Sequence, residues 1–130
     1  METKKNSPAQ EPQLRSERSE DFASAYANNV YFEPSVWDLK LIFGELDGAS
    51  NTNQQHTAVT MSWVVAKLLA HHLNVQIATH EIAQEKIVIP RDVWPAEIAP
   101  PPEQFVDDPK FQKLYKTMIA FRDEFIAKNS

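Results

Sequence analysis

The segment SWVVAKLLAHHLNVQIATHEIAQE, residues 62–85, predicts a long helix with apolar side chains on two sides. Ser62 suits its N-terminal cap, because a serine hydroxyl accepts hydrogen bonds from the free amides of a first helical turn. With about 3.6 residues per turn, the apolar residues fall into two separate stripes. Stripe one contains Ala66, Leu69, Leu73 and Ile77, and stripe two contains Val64, Leu68, Val75 and Ile82. Because a single sheet covers only one stripe, the other requires a further helix or another subunit.

The residues before this helix predict a small antiparallel sheet. NNVYFEP, residues 28–34, is a short β-rich run, and Pro34 with Ser35 favours a turn. VWDLKLIFGEL, residues 36–46, alternates with a period of two, as a half-buried strand does. One face of that strand would hold Trp37, Leu39, Leu41 and Phe43. The polar residues 47–55, DGASNTNQQ, predict an exposed loop. HTAVTM, residues 56–61, predicts a third strand with Thr57, Val59 and Met61 on one side. Strands in this order favour a meander.

The residues after the helix predict an edge strand, a linker and a last helix. IVIP, residues 87–90, is a short apolar run that could form an edge strand, ended by its proline. PAEIAPPPEQ, residues 95–104, is typical of a stiff linker. Asp107 or Asp108 would cap the final helix, with Pro109 in its first turn. Its apolar positions recur at helical spacing: Phe111, Leu114, Tyr115, Met118, Phe121, Phe125 and Ile126.

These patterns predict an α+β fold. We expect a small antiparallel β-meander packed by one long helix, plus an appended C-terminal amphipathic helix. The predicted organisation is a disordered N-terminal tail over residues 1–20, an α+β core domain over 21–94, a proline-rich linker over 95–106 and the C-terminal helix over 107–130. A core of this size is marginal alone, which favours self-association.

Composition excludes several classes of protein. Without cysteine, neither a disulfide framework nor a thiolate zinc site can form. Residues 21–105 hold ten acidic and four basic side chains, and this negative charge disfavours nucleic-acid binding. Two glycines are too few for the common phosphate-binding loops. The sequence shows neither a signal peptide nor an apolar run of membrane-spanning length, so we expect a cytoplasmic protein without a membrane partner.

Four histidines are the weak candidates for a metal site: His56, His71, His72 and His80. His71 and His72 point about 100° apart on a helix, and His72 lies roughly 12 Å from His80. No metal-binding motif of the HxxxH or HExxH kind occurs on this helix. The simpler interpretation is that these rings bond to solvent or backbone, and we expect no cofactor.

Two segments together resemble a known family. They are YANNVYFEPSVWDLKLIFGEL, residues 26–46, and TAVTMSWVVAKLLAHHLNVQIATHE, residues 57–81. The chain resembles the bacterial and archaeal family catalogued as domain of unknown function 3467 over about residues 26–90. The shared features are a Tyr-x-Asn opening, an aspartate-led strand ending in Phe-Gly and a later Lys-x-Leu helix. AQEKIVIP, residues 83–90, departs from the glycine expected at the helix end. The resemblance implies no activity and no catalytic residues.

We therefore expect a non-catalytic, homo-oligomeric and most simply dimeric protein that binds an unidentified protein partner or serves as a scaffold. The interface would use stripe two or the final helix. Its candidate residues are Val64, Leu68, Val75, Ile82, Phe111, Leu114, Met118 and Phe125. Two alternatives stay open: a chaperone-like binder of unfolded chains, and a metal- or ligand-dependent enzyme that uses the histidines.

Overall fold

A computed structural model describes residues 13–130 of the chain. A boundary between Ala66 and Lys67 divides it into two units. The first unit contains strands β1 (Asn29–Pro34), β2 (Asp38–Asp47) and β3 (Thr52–Ser62). Helix α1 (Trp63–Ala83) crosses the boundary, and helix α2 (Pro109–Asn129) lies in the second unit. The predicted α+β class is confirmed, whereas the packing of α1 on the sheet stays a prediction.

The three strands form one antiparallel sheet in the order β1-β2-β3, as the sequence predicts. Leu41 on the central strand pairs with Phe32 on one side and with Val59 on the other. Since residues opposite each other share a face, the register assigns every strand residue to a side of the sheet. The apolar face contains Val30, Phe32, Pro34, Leu39, Leu41, Phe43, Thr57, Val59 and Met61. The opposite face is more polar and carries an ion pair of 3.8 Å between Lys40 and Glu33.

The turn between β1 and β2 is built on Ser35. Its hydroxyl oxygen accepts hydrogen bonds from the amides of Trp37 (3.1 Å) and Asp38 (3.0 Å), and its own amide donates to the Asp38 carbonyl (2.8 Å). Because these bonds hold Trp37 in the turn, the strand alternation begins only at Asp38. The prediction that Trp37 shares the inward face with Leu41 is therefore wrong, since Trp37 is 84% exposed while Leu41 is 7% exposed.

The loop between β2 and β3 is shorter than the sequence predicts. Strand β3 begins at Thr52, so only residues 48–51 connect the two strands. Asp47 closes this turn by accepting hydrogen bonds from the Ala49 amide (3.0 Å) and the Ser50 hydroxyl (2.9 Å). Asn51 takes a positive φ of 51°, a conformation that asparagine tolerates better than most residues. Polar side chains thus extend β3, because backbone pairing to β2 outweighs their loop-like composition.

Both helices begin at the predicted caps. The Ser62 hydroxyl accepts a hydrogen bond from the Val65 amide (3.2 Å) at the start of α1. The Asp108 side chain accepts one from the Lys110 amide (2.9 Å) at the start of α2, with Pro109 as the first helical residue. Neither helix contains a buried residue.

The predicted edge strand at IVIP is wrong. Residues 87–90 have no regular structure, and single turns of 3₁₀ helix occur at Arg91–Val93 and Glu103–Phe105. The polar backbone groups of the segment bond to side chains instead of to a neighbouring strand. The Ile87 amide donates to a carboxylate oxygen of Glu81 (2.8 Å), and the Ile89 carbonyl accepts from the Trp94 indole (3.0 Å).

Candidate functional site

Stripe two of α1 is a solvent-exposed apolar surface. Its exposed fractions are 71% for Val64, 54% for Leu68, 45% for Val75 and 86% for Ile82. All four residues belong to one regular helix, so they project along one line at spacings of four and seven residues. Such a line is typical of a helix that packs lengthwise against another helix.

Stripe one is exposed in its C-terminal half. Leu73 and Ile77 are exposed, while Ala66 and Leu69 are half-buried. Apolar side chains that lie on both sides of α1 are consistent with the two-stripe prediction. An amphipathic surface helix would hide its only apolar face, whereas α1 presents two.

The candidate interface residues of α2 share one helix but differ in exposure. Phe111 is half-buried because its ring stacks on Phe105, with 4.2 Å between ring centroids. The exposed members are Leu114, Met118 and Phe125. Only Phe125 lines the groove described next.

Within the second unit, the C-terminal parts of the two helices line a groove of about 650 Å³. Its apolar residues are Ile77, Ile87, Ile89, Phe121 and Phe125. Its polar residues are Asn74, Glu81, Lys86, Glu124, Lys128 and Asn129. The Arg122 guanidinium donates to the carbonyls of Pro95 and Ala96, both at 3.1 Å, and so ties the proline-rich segment to α2.

Asn28 forms a polar cluster at one end of the sheet. The Asn28 side chain accepts a hydrogen bond from the Leu46 amide (2.6 Å) and donates to the Leu46 carbonyl (3.2 Å). The backbone N–H of Asn28 also donates to the Gly44 carbonyl (3.0 Å). An amide side chain has one donor and one acceptor side, so it replaces a backbone unit and extends the pairing of β1 with β2.

Gly44 allows the two outer strands to meet across β2. The Asn53 amide group donates to the Asn29 side-chain oxygen over 2.9 Å, and these residues come from β3 and β1. A Cβ atom at Gly44 would lie only 2.5 Å from the Asn53 Oδ1 atom. The sequence reasoning missed this role, although a lone glycine inside a strand signals a close approach.

The histidines of α1 and β3 have different surroundings. His56 lies at an irregularity in the pairing of β2 with β3 and donates through Nε2 to the Tyr26 carbonyl (2.8 Å). Its Nδ1 atom lies 2.7 Å from the Thr57 hydroxyl, so both ring nitrogens have partners within the sheet unit. The rings of His71 and His72 meet edge to face, with centroids 5.3 Å apart.

The structure brings no metal-binding cluster together in residues 13–130: no group of three or more histidine, cysteine, aspartate or glutamate side chains has the required arrangement. Two carboxylates have altered acidity. The Ser50 hydroxyl and the Ala49 amide lower the pKa of Asp47, and Lys128 lowers the pKa of Glu124 through a hydrogen bond and its charge. Both carboxylates take part in local contacts, at a turn and along one helix face.

Over the same part of the chain, neither helix combines the length and the hydropathy that crossing a membrane requires. Comparison with known proteins gives no match: neither a protein-family model, nor a curated protein, nor a solved structure is significantly similar to this chain.

Proposed function

We propose that this protein is a non-catalytic homodimer of the cytoplasm that acts through protein–protein contacts. The observation that carries the proposal is the exposure of stripe two on a well-formed helix. A second copy of the same helix would cover four aliphatic side chains, and His71 lies on the same helical line between Leu68 and Val75, so it would be covered with them.

The free energy gained by burying stripe two is similar in size to the free-energy cost of association. Complete burial of a valine, leucine or isoleucine side chain contributes about 1.5–3 kcal/mol. The four residues of stripe two are roughly two-thirds exposed on average. Burying them in two copies therefore gains roughly 8–15 kcal/mol at the same rate per side chain. Association itself costs about 4–15 kcal/mol, so stripe two needs support from a second contact to give a tight dimer.

The oligomeric state of the full chain tests the proposal. We expect size-exclusion chromatography with light scattering to give twice the chain mass of 14.9 kDa. Leu68→Lys should weaken the dimer, because it places two ammonium groups in an apolar contact. Gln76→Lys is the matched control, because Gln76 is an exposed polar residue of the same helix that belongs to neither stripe nor the groove, and it should leave the mass unchanged. A monomeric wild-type chain at micromolar concentration would contradict the proposal.

The chaperone-like alternative has support from the exposed apolar side chains of the outer strands, Val30, Phe32 and Val59, and from the groove beside α2. It differs from the scaffold proposal in one measurable property. A chaperone-like dimer would still suppress the aggregation of an unfolded client protein after assembly, whereas a scaffold would not. Membership of the family catalogued as domain of unknown function 3467, and with it a bacterial or archaeal origin, stays part of the proposal.

A further inference from the structure

The two edges of the sheet differ in how they are protected from pairing. Strand β1 has six residues, and its end carries Glu33 and Pro34. Strand β3 has eleven residues, TNQQHTAVTMS, without proline, lysine, arginine or an acidic side chain. Natural sheets guard their free edges with short strands, charges and prolines. The β1 edge has these protections, and the β3 edge lacks them.

The direction of the backbone groups along each edge follows from the turn at Ser35. Its amide donates to the Asp38 carbonyl, so these two residues form a hydrogen-bonded pair. Hydrogen-bonded positions alternate along an antiparallel ladder. With the observed register, the backbone groups of Thr57, Val59 and Met61 therefore face β2. Those of Ala58 and Thr60 face outward, where residues 13–130 contribute no fourth strand.

The same alternation places Pro34 at an outward position of β1. Proline lacks an amide hydrogen, so the β1 edge has one donor fewer to offer to another chain. The first residue of α1 contacts the β1–β2 turn. The Trp63 indole donates to the Ser35 carbonyl (3.0 Å), which directs this side chain toward the β1–β2 turn.

We propose that the β3 edge pairs antiparallel with the β3 edge of a second copy, and so joins two sheets into one of six strands. With a two-fold axis near Val59, the outward backbone N–H and C=O groups of Ala58 would form hydrogen bonds with those of Thr60 in the second copy. Antiparallel self-pairing brings the same uncharged segment opposite itself, so no like charges meet. The apolar faces of the two copies then lie on the same side of the joined sheet.

This inference rests on the proposed self-association and names a contact within the first unit. A matched pair of proline variants tests it in the full-length protein. Ala58→Pro removes an outward amide from the β3 edge, and Val30→Pro removes an outward amide from the β1 edge. Each dimer of the Ala58 variant loses two symmetry-related hydrogen bonds. We expect its dissociation constant to rise about tenfold to hundredfold, while that of the Val30 variant stays within about threefold of wild type.

Crosslinking provides a second measurement that does not depend on how the proline variants fold. The natural chain has no cysteine, so a single introduced cysteine can form a disulfide only with the same cysteine of a second chain. Among Ala58→Cys, Val59→Cys and Thr60→Cys, the residue nearest the axis should give a disulfide-linked dimer under mild oxidation. Val30→Cys is the control on the β1 edge and should remain monomeric on a denaturing gel.

The outcomes separate this inference from the proposed function. A dimeric wild type with crosslinking at position 58, 59 or 60 supports both. A dimeric wild type that crosslinks at none of the three, and whose Ala58→Pro variant keeps the wild-type affinity, overturns the β3 pairing alone. A monomeric wild type overturns both, and binding of a foreign extended peptide at the β3 edge would then identify a different occupant.

Discussion

Replacing Gly44 by alanine should destabilise the sheet for a purely steric reason. The added Cβ would lie 2.5 Å from the Asn53 Oδ1 atom, 2.9 Å from the Gln54 carbonyl oxygen and 3.2 Å from the Gln55 Cα atom. The side-chain oxygen can rotate away only by giving up its place beside Asn29, and the two backbone atoms can move only with β3. Because Gly44 has no positive φ, backbone strain adds nothing to this cost.

The size of the effect follows from three opposing contributions. Overpacking costs about 1–3 kcal/mol, and loss of the Asn53–Asn29 hydrogen bond costs about 0.5–1.5 kcal/mol. Alanine also lowers the conformational entropy of the unfolded chain, which stabilises the folded state by about 0.4–1 kcal/mol. The free energy of unfolding should therefore fall by about 0.5–4 kcal/mol, with a drop in Tm of roughly 5–15 °C at the middle of that range.

Gly48→Ala is the matched control, because a Cβ there meets no atom within 4 Å and its φ is not positive. It should be neutral or stabilising by up to about 1 kcal/mol. Urea unfolding followed by circular dichroism, with all proteins at the same concentration, gives both values from the midpoints. Equal midpoints for the Gly44 and Gly48 variants would refute the view that β1 and β3 touch across β2.

Two further predictions concern the ends of the sheet. Asn28→Ala should lower the free energy of unfolding by about 1–3 kcal/mol, because both hydrogen bonds to Leu46 are lost, as urea titration at pH 7 would show. Asn28→Asp keeps the acceptor for the Leu46 amide but turns a carboxylate oxygen toward the Leu46 carbonyl, so it should not restore the wild-type stability. The hydroxyl of Ser50 and the amide of Ala49 lower the pKa of Asp47 in the folded state. A lowered folded pKa means that this carboxylate stabilises the protein above its unfolded pKa and loses that contribution as the pH falls through the folded value. Asp47→Asn should therefore reduce the fall in the free energy of unfolding as the pH is lowered into the acidic range. An unchanged pH dependence would contradict the assigned hydrogen bonds.

Local sequence signals determined most of the secondary structure. Alternation placed Leu39, Leu41 and Phe43 on one side of β2, and the caps at Ser62 and Asp108 marked the starts of both helices. These signals work because a strand face and a helix cap depend on neighbouring residues in the chain. The two apolar stripes of α1 were also readable, since helical spacing alone defines them.

Other features required the tertiary structure because they join residues that are distant in the chain. A local exception is Trp37, whose amide donates to the Ser35 hydroxyl two residues away, so that a turn holds it off the predicted face. The backbone-like role of Asn28 depends on Leu46, eighteen residues away. The outward direction of the β3 edge groups depends on the register of all three strands. Composition and spacing thus determined which elements form, whereas the pairing of strands decided how far β3 extends and which of its backbone groups face outward, because a one-dimensional pattern does not specify its pairing partner.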